Sequence, residues 1–288
     1  SDTSRRFVVP SAPGKRFSGD TKVTDMLYSC YNTAQNGGDF DSVFAMVKDR
    51  FDSIIAGLGL SLDLSAEYEH IKWAILHHAG RDYAASRGEY LNGMILAEYL
   101  GYDFIDPADY IKFCDDGSFD AETTNGILSE EMKKHENGVI PGFYGSHPNG
   151  TIRTFSRGGS DITGSIVARA VYADLYENWT DVNGFLMADP RIVPGAKTIK
   201  YITYRELREL SYMGATVLHE DAIFPVRFAG IPVNIRNTND VSDPGTMIVS
   251  HTDSYDSDDI ITGVAGKKGF CVITIEKALM NSEKGFGR

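Results

Sequence analysis

The stretch 154–168, TFSRGGSDITGSIVA, packs a fixed cation (Arg157), two glycines, two hydroxyls (Ser156, Ser160) and a carboxylate (Asp161) directly in front of an apolar helical run. Gly158 and Gly159 let the backbone approach a ligand closely, and Ile162, Ile166, Val167 and Ala170 recur as the buried face of a helix. A helix beginning here directs its positive end at whatever the loop holds, which suits a phosphate or a carboxylate. The plainer alternative is a glycine turn with Ser160 or Asp161 as an ordinary N-cap.

Outward from this stretch, two strand-and-loop patterns lie upstream. Residues 6–11 (RFVVPS) read as a buried strand entering the loop APGK, so Ser11, Gly14 and Lys15 become site candidates at a strand's carboxyl end. Residues 139–143 (VIPGF) read as a second such strand, and 151–155 as a third that leads into the glycine loop. Between them, 21–25 (TKVTD) opens a helix in which Thr24 is either a cap or a ligand contact. Amphipathic helices are predicted over 41–58 and 66–78, with His70, His77 and His78 as surface or packing residues. In 86–100 (SRGEYLNGMILAEYL), Glu89 is read near a helix start, where the helix dipole alone accounts for it. The functional alternative is contact with a substrate ammonium, with Gly88 providing close access. A short strand is predicted over 102–105, a helical turn from Pro107 and a polar excursion over 115–124.

Downstream, 175–182 carries strand-forming residues and Asn183-Gly184 marks a tight turn. Thr180 and Asp181 therefore stand near a strand's end, before a loop containing Phe185, Leu186 and Arg191. That combination can hold an adenine, a ribose and a phosphate, or it can be a polar hairpin with a surface arginine. Helices over 204–218 and 220–229 and strands over 231–236 and 246–249 follow. The polar run 251–259 reads as a linker, and 260–264 and 270–276 as strands before a helical start at 277–281.

With 288 residues and a formal charge of −12, the chain has material for a large core and lacks the basic footprint that nucleic acid or an anionic membrane requires. Three widely spaced cysteines without a ligand pattern point to a reduced cytoplasmic protein without structural zinc.

In order and at plausible spacing, VVPSAPGK, TKVTD, SRGEYLNG, PGFYG, SRGGSDITGS, WTDVNGFLMADPR, GATVLHEDA and DPGTMI resemble aspartate kinase, a family of the amino-acid kinase fold. The resemblance implies a three-layer α/β sandwich with a central, mostly parallel sheet over 1–250, a linker over 251–259 and the start of an ACT-like regulatory module over 260–288. It implies phosphorylation of the β-carboxylate of L-aspartate by ATP, with Mg²⁺ held mainly by the ATP phosphates. It assigns Arg157 to the aspartate α-carboxylate, Asp161 to the ammonium and the catalytic centre, and Thr24 and Glu89 to substrate. Ser11 falls in the phosphate-facing, catalytic loop, and Thr180, Asp181, Leu186, Arg191, Thr216 and Val217 fall at nucleotide positions.

The family's first strand and lysine-bearing glycine loop would precede Arg6, so this stretch of chain alone is expected to be poorly active. The usual lysine is Thr216 here, a usual glycine is Ser156 and a usual aromatic is Leu186. A homodimer and feedback inhibition by lysine or threonine are implied for the whole protein. A kinase of another amino-acid carboxylate and a non-catalytic amino-acid or nucleotide sensor are the alternatives.

Overall fold

The computed structural model describes residues 3–156, 158–212, 218, 220–252, 261–266 and 269, with the backbone alone at 212, 220 and 221. Arg157, Thr216 and Val217 lie outside the described residues, as do 253–260 and the predicted elements over 270–276 and 277–281.

The first half places runs of consecutive helices between short strands. Strand β1 (Phe7–Val8) is followed by α1 (Val23–Gln35), α2 (Phe40–Leu58), α3 (Ser65–Leu76) and α4 (Arg81–Leu100). Strand β2 (Asp103–Phe104), α5 (Pro107–Tyr110), α6 (Ala121–Met132) and β3 (Gly138–Val139) come next. The strands form a parallel sheet in the order β1-β3-β2. Pleat alternation sends Phe7, Val9, Ile105 and Ile140 into one cluster with Ile166 and Val167, while Phe104 and Pro141 face Gly93 of α4. A side chain at Gly93 would meet Pro141 Cγ at 2.6 Å, so this glycine sets how closely α4 lies on the sheet. Helices α1 to α4 share their own core around Leu27, Phe51, Ile71 and Leu91.

A hairpin of β4 (Tyr144–Ser146) and β5 (Ile152–Thr154) then leads to α7 (Gly159–Ala170). The second sheet comprises β6 (Tyr176–Thr180), β7 (Tyr201–Thr203), β8 (Val233–Asn237) and β9 (Thr246–Val249) in the order β6-β8-β9-β7. β6 with β8 and β7 with β9 are parallel, and β8 with β9 is antiparallel, so parallel pairing predominates as expected. Helix α8 (Tyr204–Tyr212), a 3₁₀ turn over Glu220–Ile223 and α9 (Phe224–Ala229) complete this half around Ile202, Leu207, Val226 and Ile235. Arg5, just before β1, pairs with Glu177 of β6 and ties the two sheets together.

Several expectations need correction. Helix α4 starts at Arg81, so Glu89 lies eight positions inside it and the first-turn acid is Asp82; the dipole account of Glu89 fails. The polar excursion ends early, because Asp120 accepts a hydrogen bond from Thr123 N–H and caps α6. The 220–229 helix is a 3₁₀ turn joined to α9, with Pro225 at its start. Asn183-Gly184 does not close a hairpin, since β6 pairs in parallel with β8. Residues 261–264 form no strand; Val264 N–H makes a single backbone bond to Met187 O (2.7 Å), and Thr262 donates to Glu206.

Candidate functional site

Gly142 N–H donates to Pro10 O (3.0 Å), which joins the loop after β3 to the loop after β1. A side chain at Gly142 would meet Ser160 Oγ and Cα at 2.6 and 2.7 Å, and one at Gly159 would meet Phe143 Cα at 2.9 Å. The start of α7 is therefore pressed directly against the loop after β3. Phe143 adopts φ 84°, a left-handed backbone that a bulky side chain rarely takes. Its N–H donates to Thr163 Oγ1 (3.0 Å) and its carbonyl accepts from Phe155 N–H (2.9 Å), which hold it there. The loop after β3 and the glycine loop after β5 therefore meet at one place.

Neither Ser160 nor Asp161 caps α7; the cap is Gly158 (φ 54°), without a side-chain hydrogen bond. Asp161 sits in the first turn and its Oδ1 accepts from Asn178 Nδ2 (2.8 Å), while its carbonyl accepts from Tyr176 OH (3.2 Å). Burial raises the Asp161 carboxyl above its ordinary value, and the Asn178 hydrogen bond pulls it back.

Glu89 is 6 % exposed, and among the described residues its buried Oε2 has no hydrogen-bond partner. Burial pushes its carboxyl up to about 7, against the opposing pull of the Ala12 amide, its own amide and the Arg87 charge. Gly88 serves packing rather than access, because a side chain there would meet Ala12 Cβ at 2.9 Å and Val23 Cγ1 at 3.2 Å. This close fit seats the loop after β1 and the start of α1 against the turn that carries Glu89. Thr24 is half-buried in the first turn of α1, whose cap, Lys22, makes no side-chain hydrogen bond. Ser11 is exposed, and its carbonyl accepts from Asn92 Nδ2 (2.7 Å).

Arg50 anchors the rest of that loop. It is 3 % exposed and donates to Asp20 Oδ2 (2.6 Å), Gly14 O (2.9 Å) and Thr21 O (3.2 Å). Asp20 is also held by Arg16 through its backbone N–H (2.9 Å) and its guanidinium. These bonds keep the Asp20 carboxyl well below the usual carboxylate range, the Arg16 side chain contributing most. Gly14 thus belongs to the loop's anchor, and Lys15 is exposed.

On the other side, Thr180 ends β6, and its carbonyl accepts from Thr238 N–H (2.8 Å). Tyr176, Asn178 and Thr180 share one face of β6 by pleat alternation, so the face that reaches Asp161 continues to Thr180. Asp181 is exposed and Leu186 half-buried, bridging to Thr198. The Arg191 side chain is 86 % exposed and binds both oxygens of Asp189, at 3.0 and 2.7 Å. Ser11, Thr24, Glu89 and Asp161 are thus linked through one set of packed loops, while Arg191 stands apart on its own loop.

Sequence reasoning missed Asn178, Asn92, Asp20 and Arg50. Asn92 follows Glu89 by three positions and shares its helical face, and Asn178 is a polar residue two before Thr180; both spacings were readable. The Arg50–Asp20 pair spans thirty positions and has no local signal.

The amino acid kinase family model matches residues 6–237. Aspartokinase 3 of Bacillus subtilis is 39 % identical over the whole chain, which spans 66 % of that relative's length. The crystal structure of Clostridium acetobutylicum aspartate kinase superimposes with a TM-score of 0.90 at 56 % identity, covering 99 % of this chain and 66 % of that one. Escherichia coli aspartokinase III, solved in complex with aspartate and ADP, gives 0.72 at 25 % identity over 86 % of this chain and 59 % of that one. With the described strands and loops assembled as above, the chain belongs to the amino acid kinase family.

Proposed function

We propose that the whole protein of which this chain is part phosphorylates the β-carboxylate of L-aspartate with ATP, giving 4-phospho-L-aspartate and ADP. The observation that carries this reading is Glu89, a buried carboxylate beside the loop after β1 with one oxygen that has no partner among the described residues. A substrate ammonium supplies the donors and the charge that this oxygen lacks. The aspartate kinases of Bacillus subtilis and Clostridium acetobutylicum, at 39 and 56 % identity, support the same substrate, and the Escherichia coli complex holds aspartate with ADP.

In this reading Glu89 takes the ammonium with Asp161, and Arg157 takes the α-carboxylate. The substrate's β-carboxylate is then left free, and it is already ionised at neutral pH, so no general base is required. One of its oxygens attacks the γ-phosphorus, the bond from that phosphorus to the β–γ bridging oxygen breaks, and ADP leaves. The chain's contribution is alignment and charge balance. The start of α7, close-packed through Gly142 and Gly159, presents N–H groups of its first turn without a side-chain cap. Asn178 orients Asp161 from β6.

Thr180, Asp181, Leu186 and Arg191 fit a nucleotide: a hydroxyl and a carboxylate for ribose, an apolar edge for the base and an exposed guanidinium for phosphate, at and beyond the carboxyl end of a parallel strand. The resemblance assigns Thr216 and Val217 to the nucleotide as well. Mg²⁺, carried by the nucleotide's phosphates and water, supplies charge neutralisation when bound. We assign the protein to the reducing cytoplasm and expect a homodimer with lysine or threonine as feedback ligand.

The test is ADP formation by the full-length protein with aspartate, glutamate or acetylglutamate as acceptor. Aspartate-dependent turnover is expected, and its absence would sink the proposal. Turnover with acetylglutamate would argue against an ammonium-binding Glu89.

A further inference from the structure

Tyr176 opens β6, and its ring packs, partly buried, against the core of the second half. A phenylalanine would fill that place as well, so the hydroxyl needs its own account. It donates to Asp161 O (3.2 Å) and accepts from Asn178 Nδ2 (3.1 Å), and the same Nδ2 donates to Asp161 Oδ1 (2.8 Å). The three residues close a circuit of hydrogen bonds that begins at the backbone of Asp161 and ends at its carboxylate.

The directions in this circuit follow from the proton count. A phenol has one proton, and here it goes to the Asp161 carbonyl. The phenol oxygen therefore offers Asn178 only a lone pair, so Asn178 must turn its NH2 group, and not its carbonyl, toward Tyr176. The second N–H of that group then meets Asp161 Oδ1. A reversed amide would set a carbonyl oxygen against a carboxylate oxygen, with no proton between them. Burial holds the Tyr176 phenol well above its ordinary value, so the hydroxyl keeps its proton.

Helix α7 makes room for this contact. Gly164 lies one turn after Asp161 on the same face, and a Cβ there would meet Tyr176 OH at 2.5 Å and its Cε2 and Cζ at 2.9 Å. Glycine weakens a helix interior relative to alanine, so its place in α7 answers to the approach of the tyrosine rather than to helix formation. Asn178 follows Tyr176 by two positions, which puts both polar groups on the face of β6 that meets α7.

From this circuit we propose that Tyr176 is a positioning residue of the amino-acid site: its hydroxyl holds the Asn178 amide as a donor to Asp161 Oδ1, which fixes the carboxylate in one rotamer and leaves Oδ2 for the substrate ammonium. The proposal rests on the reading of Asp161 as an ammonium-binding group.

The experiment is aspartate affinity of the full-length protein with ADP present, by calorimetry, for Tyr176→Phe, Asn178→Ala and the double variant. Tyr176→Phe keeps the aromatic ring and removes the hydroxyl; it should weaken aspartate about fivefold, and Asn178→Ala about tenfold. Because Tyr176 acts through Asn178, the double variant should be no weaker than Asn178→Ala alone, whereas independent effects would multiply to about fiftyfold. ADP affinity, measured without aspartate, should stay unchanged in all three. Multiplied effects, an unchanged aspartate affinity in Tyr176→Phe, or an equal loss of ADP affinity would overturn the proposal by reducing Tyr176 to a packing residue. Should Tyr176→Phe not fold, Gly164→Ala retains the hydroxyl but displaces it, and a loss of the same size, absent when Asn178 is already alanine, is expected; unchanged affinity there overturns the proposal equally. Asp161→Asn separates the two levels. If it binds aspartate as the wild type does, the reading of Asp161 fails and takes this proposal with it; a defective Asp161→Asn beside an unchanged Tyr176→Phe overturns the proposal alone.

Discussion

Around Glu89 the polar groups are buried and held from several elements: α4 supplies the carboxylate, Gly88 admits the Ala12 loop, and Arg50 and Asp20 anchor that loop from below. Around Arg191 the side chain is 86 % exposed and bonded to Asp189 two residues away. The amino-acid side is thus shaped before any ligand arrives, with an unpartnered carboxylate oxygen already dehydrated. The nucleotide side keeps its cation in water and balanced by a neighbour, with Asp189 engaging only its Nε and Nη2. Preorganisation costs stability at Glu89, whereas an exposed ion pair is worth little either way.

The sharpest way to break this contrast is Glu89→Gln. Burial places the Glu89 carboxyl near 7 against an ordinary 4.5. Between those two values the folded state holds a proton that the unfolded state has released, so wild-type stability falls as pH rises through this window. Above it the buried anion costs on the order of 3 to 4 kcal/mol, the free energy that separates a carboxyl titrating near 7 from an ordinary one. Glu89→Gln should therefore raise the unfolding free energy, read by urea denaturation at pH near 8, by an amount of this order, with little change near pH 4. The same substitution should weaken aspartate by about 2 kcal/mol, roughly 30-fold, through the lost charge-assisted bond, with nucleotide affinity unchanged. A variant that is no more stable at alkaline pH would show that Glu89 is hydrated and the site not preorganised.

Gly142→Ala comes next, since its methyl group would lie 2.6–2.7 Å from Ser160. Separating the loop after β3 from α7 should destabilise the fold by about 2 kcal/mol, read by denaturation, and slow turnover by misplacing Asp161. Arg157→Ala should lose aspartate affinity by about 2 kcal/mol, whereas Arg191→Ala should weaken only the nucleotide, by less than about 1 kcal/mol. Equal effects of the two substitutions on both ligands would contradict the division into an amino-acid side and a nucleotide side.

Asp20 offers the smallest and most local check. Its carboxyl is held below its ordinary value, so the stability it contributes is present above the unfolded value and is lost as pH falls from about 4 through the folded one. Asp20→Asn should remove that acid limb and loosen the loop carrying Ser11, seen as faster amide exchange over 11–20. Unchanged exchange would leave Arg50 alone as the loop's anchor.

What could be read along the chain followed local rules. The helices over α2 and α3, the turn at Pro107 and the glycine-loop-to-helix transition at α7 all carry periodicity or caps within one segment. The strand read over 151–155 contains β5, whereas β4 and its antiparallel pairing escaped notice because a three-residue strand is too short for alternation to show. The start of α4 was placed several residues late because its cap is Gly80, with no side-chain signal.

The sequence by itself determined the elements, the order of the motifs and the chemical types available for a zwitterion and a nucleotide, because spacing, capping and residue charge are properties of neighbouring positions. Only the tertiary structure decided that Asn178 holds Asp161, that Arg50 reaches Asp20, that Tyr176 closes on both Asn178 and Asp161 and that Glu89 lies dry with a free oxygen. Desolvation and convergence depend on which distant segments pack over a residue, and they are what turn a helical glutamate into a ligand for an amine.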